Sequence, residues 1–61
     1  MVKKGDKVKI VNNEIFECMG YKTVTGEVFV VYPDGQGFSF KCDQTGSIET
    51  CDFGDGEITK E

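Results

Sequence analysis

The segment Pro33–Gly37, P-D-G-Q-G, marks a sharp reversal of the chain. Proline presets φ for a turn, and glycine takes the positive φ that a tight reversal needs. The turn separates Tyr21–Tyr32, a stretch of mainly β-branched and aromatic residues, from Phe38–Asp43, in which apolar and polar residues alternate. Two such stretches joined by a short turn are typical of a β-hairpin.

Three further segments have strand-like patterns. Lys3–Val11 alternates lysine with apolar residues and is predicted to enter its strand through a Gly-Asp turn. Ile48–Phe53 and Glu57–Lys60 are shorter, and Gln44–Ser47 predicts the turn that precedes them. Between them lies Gly54–Gly56, an Asp-Gly type of sequence that predicts a tight hairpin reversal. The chain therefore contains five predicted strands.

Helix is disfavoured because the chain contains no Leu, Ala or Arg, three of the best helix formers. The segment Glu14–Gly20 predicts either one helical turn or a loop that folds its apolar side chains inward. Within Tyr21–Tyr32, Gly26 predicts a bulge, a bend or a short turn. The composition and the turns together predict an all-β fold.

The alternation of residues assigns faces to the predicted strands. In Tyr21–Tyr32, Val28, Val30 and Tyr32 share one face, and Phe29 and Val31 occupy the other. Phe38–Asp43 is expected to place Ser39, Lys41 and Asp43 in water and its other side chains in the core. The predicted core consists of Val8, Ile10, Val28, Val30, Phe38, Phe40, Cys51, Phe53 and Ile58.

At 61 residues the chain is predicted to form a single domain over residues 1–61. Short strands in so small a chain predict a five-stranded, strongly bent antiparallel sheet that curls to remove its edges, with at most one helical turn. The start K-K-G-D-K-V-K-I-V, the G-E-V-F-V-V-Y strand, the P-D-G turn and the late short strand resemble the SH3-like small barrels, including KOW and Tudor-type modules. The resemblance implies an SH3-like barrel as the alternative to an open, strongly bent sheet. The resemblance implies a binding role, typical of short bacterial or phage proteins that act on RNA, on polymerase or ribosomal surfaces, or on peptides.

Catalysis is not predicted. The chain has no His, which removes the commonest general base and metal ligand. The Asp-Phe-Gly of residues 52–54 matches a protein-kinase signature, but a kinase needs far more chain than this. No cofactor is expected, and no metal site either, because the spacing of Asp52, Asp55 and Glu57 misses the calcium-loop pattern.

The cysteines Cys18, Cys42 and Cys51 form neither a disulfide framework nor a zinc spacing. They are predicted to be free thiols in a reducing cytoplasm, with a Cys42–Cys51 disulfide across a hairpin as the alternative. No apolar run reaches the roughly 18 residues of a membrane span, and no signal-peptide pattern begins the chain. A cytoplasmic protein without membrane contact is therefore expected.

Charge is unevenly distributed along the chain. Lysines dominate the first eleven residues, and six of the seven charged side chains of residues 42–61 are acidic. The formal net charge of −4 opposes general attraction to nucleic acid. An alternative is nucleic-acid binding by the lysine strand with aromatic stacking, and a second alternative is an acidic mimic of nucleic acid. The lysines of the first alternative are Lys3, Lys4, Lys7 and Lys9.

A non-catalytic protein-binding module, a phage or bacterial modulator of a larger machine, is the preferred prediction. Its predicted partner-binding residues are Phe16, Met19, Tyr21 and Tyr32. The first three lie in the least regular segment, where they either complete the core or form an exposed apolar patch for a protein partner. The sequence leaves these two alternatives open, and it fixes neither the partner nor the oligomeric state.

Overall fold

The computed structural model describes residues 2–61 as five strands and one short helix. The elements in chain order are β1 (Lys7–Val11), α1 (Glu14–Cys18), β2 (Thr23–Val31), β3 (Gly37–Cys42), β4 (Ile48–Asp52) and β5 (Glu57–Lys60). The predicted all-β fold is confirmed, and the alternative of a helical turn over Glu14–Gly20 is the one adopted. In the described part of the chain, no helix is long and apolar enough to cross a membrane.

The strands form one antiparallel sheet with the order β4-β3-β2-β1-β5. The turns before β3 and before β4 join neighbouring strands, as predicted. The hairpin predicted at Gly54–Gly56 is wrong, because β5 pairs with β1 and lies at the opposite edge from β4. The short segment 53–56 connects the two edges, so the sheet is strongly bent although it is not closed. This architecture is compatible with an SH3-like fold.

A β-bulge corrects the predicted faces of β2. The register passes from Val28 opposite Phe40 to Val30 opposite Ser39, so that Phe29 is an extra residue. Val30 was predicted in the core, but it is 38% exposed and lies outside the observed core. Val31 packs against the core instead. The prediction of strict alternation failed here because a bulge shifts the side-chain pattern by one residue.

Six residues of the predicted core are buried as expected: Val8, Ile10, Val28, Phe38, Phe40 and Cys51. Phe53 is 38% exposed, since it follows the end of β4, and Ile58 is half-buried at the edge of the core. The core also contains Phe16, Val24 and Cys42. Ser39, which was expected in water, is buried.

The helix α1 adds Phe16 to this core. The side-chain oxygen of Asn13 accepts a hydrogen bond from the main-chain N–H of Phe16 at 3.1 Å and caps the helix. The Phe16 ring then packs edge-on against Phe40, with ring centres 5.8 Å apart. An edge-to-face aromatic pair adds to the stabilisation from burial alone. A five-residue helix is too short to be stable by itself, so this packing holds it in place.

Gly26 lies inside β2 and pairs with both neighbouring strands, opposite Val8 and Cys42. The strand continues through it, so the bulge, bend or turn predicted at Gly26 is wrong. A Cβ atom at this position would lie 2.1 Å from the carbonyl oxygen of Lys41. Glycine is required here because the backbone of β3 approaches β2 closely. Close approach of a neighbouring backbone is a common reason for glycine within a strand.

Candidate functional site

A mostly apolar groove lies beside β5, at the open side of the sheet. We call it the seam groove, and its volume is about 840 Å³. A groove of this size, with few polar groups, is typical of a site for a small molecule or for peptide side chains. Its lining consists of Val2, Val31, Tyr32, Pro33, Gly35, Phe53, Ile58 and Lys60.

Three features of the fold build the seam groove. The bulge in β2 turns Val31 towards the core, so that it contributes one wall. Phe53 follows β4, with its ring centre 5.4 Å from that of Phe38, and remains 38% exposed. Ile58 pairs with Ile10 in the sheet and is half-buried. The groove is therefore an exposed extension of the hydrophobic core.

Tyr32 borders the groove, and its hydroxyl is held by a polar network. The hydroxyl forms hydrogen bonds with the hydroxyls of Ser39 and Thr50, and the Ser39 and Thr50 oxygens are 3.3 Å apart. These bonds, the one with Ser39 first, lower the pKa of Tyr32 below its ordinary value. The network also explains the burial of Ser39, because the Tyr32 side chain reaches across to it.

Among residues 2–61, Lys60 is the one charged residue that lines the seam groove. Its ammonium nitrogen lies 3.5 Å from a carboxylate oxygen of Asp6. The main-chain N–H of Lys3 also donates to this carboxylate at 2.9 Å. That bond, together with the charge of Lys60, lowers the pKa of Asp6. The ion pair is partly exposed, since 46% of the Lys60 side chain is accessible to solvent.

A second groove lies on the other side of the sheet, around the bulge residue Phe29. We call it the outer-face groove, and its volume is about 740 Å³. It contains two exposed apolar side chains, since Phe29 is 58% exposed and Ile48 is 50% exposed. Three lysines and three carboxylates surround them: Lys4, Lys7, Lys41, Glu27, Asp43 and Glu61. The groove is therefore electrically balanced.

The structure separates the four predicted partner-binding residues. Phe16 is 2% exposed and belongs to the core, so it is unavailable to a partner in this fold. Met19 is 47% exposed, while Tyr21 is half-buried against the core. Tyr32 lines the seam groove. The predicted patch of Phe16, Met19 and Tyr21 is thus divided between the inside and the outside of the protein.

The four predicted lysines are all exposed, on β1 and on the segment before it. Lys4 and Lys7 line the outer-face groove, whereas Lys3 and Lys9 do not. Lys7 pairs with Glu27, which pairs in turn with Lys41 on the next strand. This row of alternating charge offsets the positive field that the sequence of β1 suggests.

Residues 53–56 have a structural role at α1. The side-chain amide of Asn13 donates to the main-chain carbonyl of Asp55 at 3.1 Å, and the Asp55 carboxylate accepts from the N–H of Glu14 at 3.3 Å. Asn12 donates to the Glu57 carboxylate at 3.0 Å. No three His, Cys, Asp or Glu side chains among residues 2–61 are placed to hold a metal ion together. The carboxylates of Asp55 and Glu57 accept the hydrogen bonds from Glu14 and Asn12 instead.

All three cysteines are free thiols, which confirms that part of the preferred prediction. The register explains why the Cys42–Cys51 disulfide does not form. Cys51 lies opposite Phe38, and Cys42 lies at the far end of the same strand. Burial and, secondarily, the carboxylates of Asp55 and Asp52 raise the pKa of the Cys51 thiol to about 11.

Comparison of the chain with protein-family models, with curated proteins and with solved structures gave no match. The two grooves are therefore interpreted from their own geometry. Sequence reasoning identified Tyr32 but missed the rest of the seam groove, because Phe53 and Ile58 were expected in the core. The uninterrupted apolar run Val28–Val31 lies at the bulge, but such a run is also typical of a strand that is buried on both faces, so it does not identify a bulge.

Proposed function

We propose that this chain is a non-catalytic protein-binding module of the SH3-like small-barrel type, and that it binds an apolar segment of a partner protein in the seam groove. The observation that carries the proposal is the lining of this groove, in which Lys60 is the one charged residue contributed by the described part of the chain. Apolar side chains exposed together around a concave surface favour a partner that buries them.

The proposal is supported by the charge of the whole chain. A net charge of −4 disfavours nucleic acid as the general partner, and the seam groove provides no cluster of cations for phosphates. Its apolar walls instead match peptide side chains, whose burial contributes about 25 cal/mol per Å². The partner segment is expected to carry several apolar side chains.

The test compares three variants as immobilised baits. Val2→Asp and Phe53→Asp place a charge in the seam groove, whereas Phe29→Asp makes the same kind of change in the outer-face groove. Each bait is incubated with nuclease-treated lysate of the source cell at ~150 and ~500 mM salt, because salt screens exposed charges but not apolar contacts. Thermal unfolding first establishes that each variant is folded.

The expected result is a discrete protein that wild type and Phe29→Asp retain at both salt concentrations and that both seam-groove variants lose. Val2→Asp is the more informative of the two, because Val2 precedes β1 and its replacement leaves every strand pair unchanged. The proposal would be overturned if the Phe29→Asp bait lost this protein while the Val2→Asp and Phe53→Asp baits retained it. The absence of any protein whose retention differs among the baits would also overturn it.

Single-stranded nucleic acid is the second candidate, and the outer-face groove is the observation that favours it. Phe29 is exposed between Lys4, Lys7 and Lys41, and aromatic stacking beside cations is how many proteins bind single strands. The three carboxylates of the same groove weaken this candidate. Fluorescence anisotropy with a labelled oligonucleotide decides it: saturable binding that falls steeply with salt and is lost in Phe29→Asp establishes it.

A further inference from the structure

We propose that the seam groove receives its partner segment as an extended strand that pairs antiparallel with the free edge of β5. This inference rests on the proposed function and specifies the form of the ligand. It predicts a peptide with apolar side chains at alternate positions and a carboxylate near Lys60.

The hydrogen-bond pattern of the sheet shows which edge groups of β5 are free. The N–H of Glu61 donates to the carbonyl of Lys7 at 2.8 Å, which fixes the pair of Lys7 and Glu61 as hydrogen-bonded. Because hydrogen-bonded and non-bonded pairs alternate along antiparallel strands, Ile58 and Lys60 direct their main-chain groups away from β1. Within residues 2–61, neither residue has a main-chain hydrogen bond to another segment.

The same two residues line the seam groove with their side chains. A strand added to β5 would therefore satisfy the free N–H and C=O groups of Ile58 and Lys60. Its alternate side chains would also enter the groove, because directly paired residues of neighbouring strands point to the same face. Addition of a peptide strand to an exposed sheet edge is a general mode of recognition in which main-chain bonds supply affinity and pockets supply specificity.

Charge supports the same ligand. Among residues 2–61, Lys60 is the one charged residue in the lining, so a cation of the peptide is disfavoured beside it, and a carboxylate of the peptide would share the Lys60 ammonium with Asp6. The other sheet edge, at β4, lacks a comparable setting. The groove beside its Ile48 contains six charged residues, so an apolar peptide would desolvate them there without compensation.

The probes are blocked synthetic peptides that begin with aspartate and then alternate threonine with valine, or threonine with phenylalanine, because a strand antiparallel to β5 places its first residues opposite Lys60. They are added to the ¹⁵N-labelled full chain, and two signals are measured. Shifts at Val31 and Phe53 report occupation of the groove. Hydrogen exchange at the amides of Ile58 and Lys60 reports strand pairing, with Thr59, which already bonds β1, as the internal control.

The decisive control is N-methylation of the peptide main chain. In the proposed pairing the apolar residues direct their N–H groups towards β5, and the threonines direct theirs to solvent. N-methylation at the apolar positions is expected to weaken binding at least about tenfold, since main-chain hydrogen bonds are lost. N-methylation at threonine is expected to leave binding unchanged. Replacing the first aspartate with lysine is expected to weaken it about threefold.

The outcomes separate this inference from the proposed function. Slower exchange at Ile58 and Lys60, together with sensitivity to methylation at the apolar positions alone, supports strand addition. Shifts at Val31 and Phe53 without either effect overturn strand addition and leave a peptide-binding groove. A dissociation constant of ~1 mM is the weakest binding worth pursuing. The absence of chemical-shift changes at Val31 and Phe53 with either peptide at ~1 mM therefore overturns both strand addition and the proposed function.

Discussion

Asn13 and Asp55 are 42 residues apart in sequence, and the side-chain amide of Asn13 donates to the main-chain carbonyl of Asp55 at 3.1 Å. The same Asn13 side chain caps α1 through its oxygen. One buried residue thus ties the start of the helix to the segment that leads from one edge of the sheet to the other. This contact gives the Asp-Gly sequence at residues 55–56 its structural role.

Replacement of Asn13 with alanine is expected to reduce the free energy of unfolding by about 2 kcal/mol, since both the helix cap and a buried hydrogen bond are lost. Asn13→Ser is the matched variant, because serine restores the cap but is too short to bond Asp55. It is expected to recover about half of the loss. Urea unfolding followed by circular dichroism measures both free energies of unfolding. Equal losses in the two variants would show that the contact with Asp55 contributes all of the stability that the Asn13 side chain provides.

Gly26→Ala is expected to destabilise the protein by about 3 kcal/mol, because its Cβ would lie 2.1 Å from the Lys41 carbonyl oxygen and the strands must separate. Gly54→Ala is the control, since a Cβ at that position has no heavy atom within 4 Å. Its effect on the unfolding midpoint should be small. A midpoint for Gly26→Ala close to that of wild type would contradict the close approach of β2 and β3.

The strands were predictable from the sequence because their signals are local. Val8 and Ile10 alternate with lysines, and Phe38 and Phe40 alternate with polar residues, so each segment carries its own period of two. The partner of β5 was not predictable in the same way. An Asp-Gly turn fits either a hairpin or a crossing between edges, and the choice depends on contacts such as that of Asn13 with Asp55, which are distant in sequence.

The seam groove could not be predicted from the sequence for a related reason. Phe53 and Ile58 are apolar, and a small chain uses nearly all such residues in its core, so the sequence favours burial for both. The structure instead leaves them at the open side of the sheet. The bulge at Phe29 made the groove harder to predict as well, because the run Val28–Val31 has no polar residue to mark which face of the strand is exposed.

The contribution of Cys51 to the free energy of unfolding is expected to fall as the pH rises from about 9 to about 11. Burial raises the pKa of Cys51 from 9.0 to about 11, so in this window the unfolded chain loses its thiol proton before the folded chain does. Below pH 9 both states keep the proton, and Cys51 contributes no pH dependence. Urea unfolding across this range is compared with that of Cys51→Ala. A slope unchanged by the substitution would assign the pH dependence to other groups.

Tyr32→Phe is expected to reduce the free energy of unfolding by about 1 kcal/mol, since it removes the hydroxyl that bonds Ser39 and Thr50. Ser39 is buried, and Thr50 remains its hydroxyl partner at 3.3 Å, which limits the cost. Ser39→Ala in the Tyr32→Phe background should then cost less than Ser39→Ala alone, because the pair no longer interacts. The double-mutant cycle is measured by urea unfolding. Additive effects would show that the short contact between the two hydroxyls adds nothing to stability.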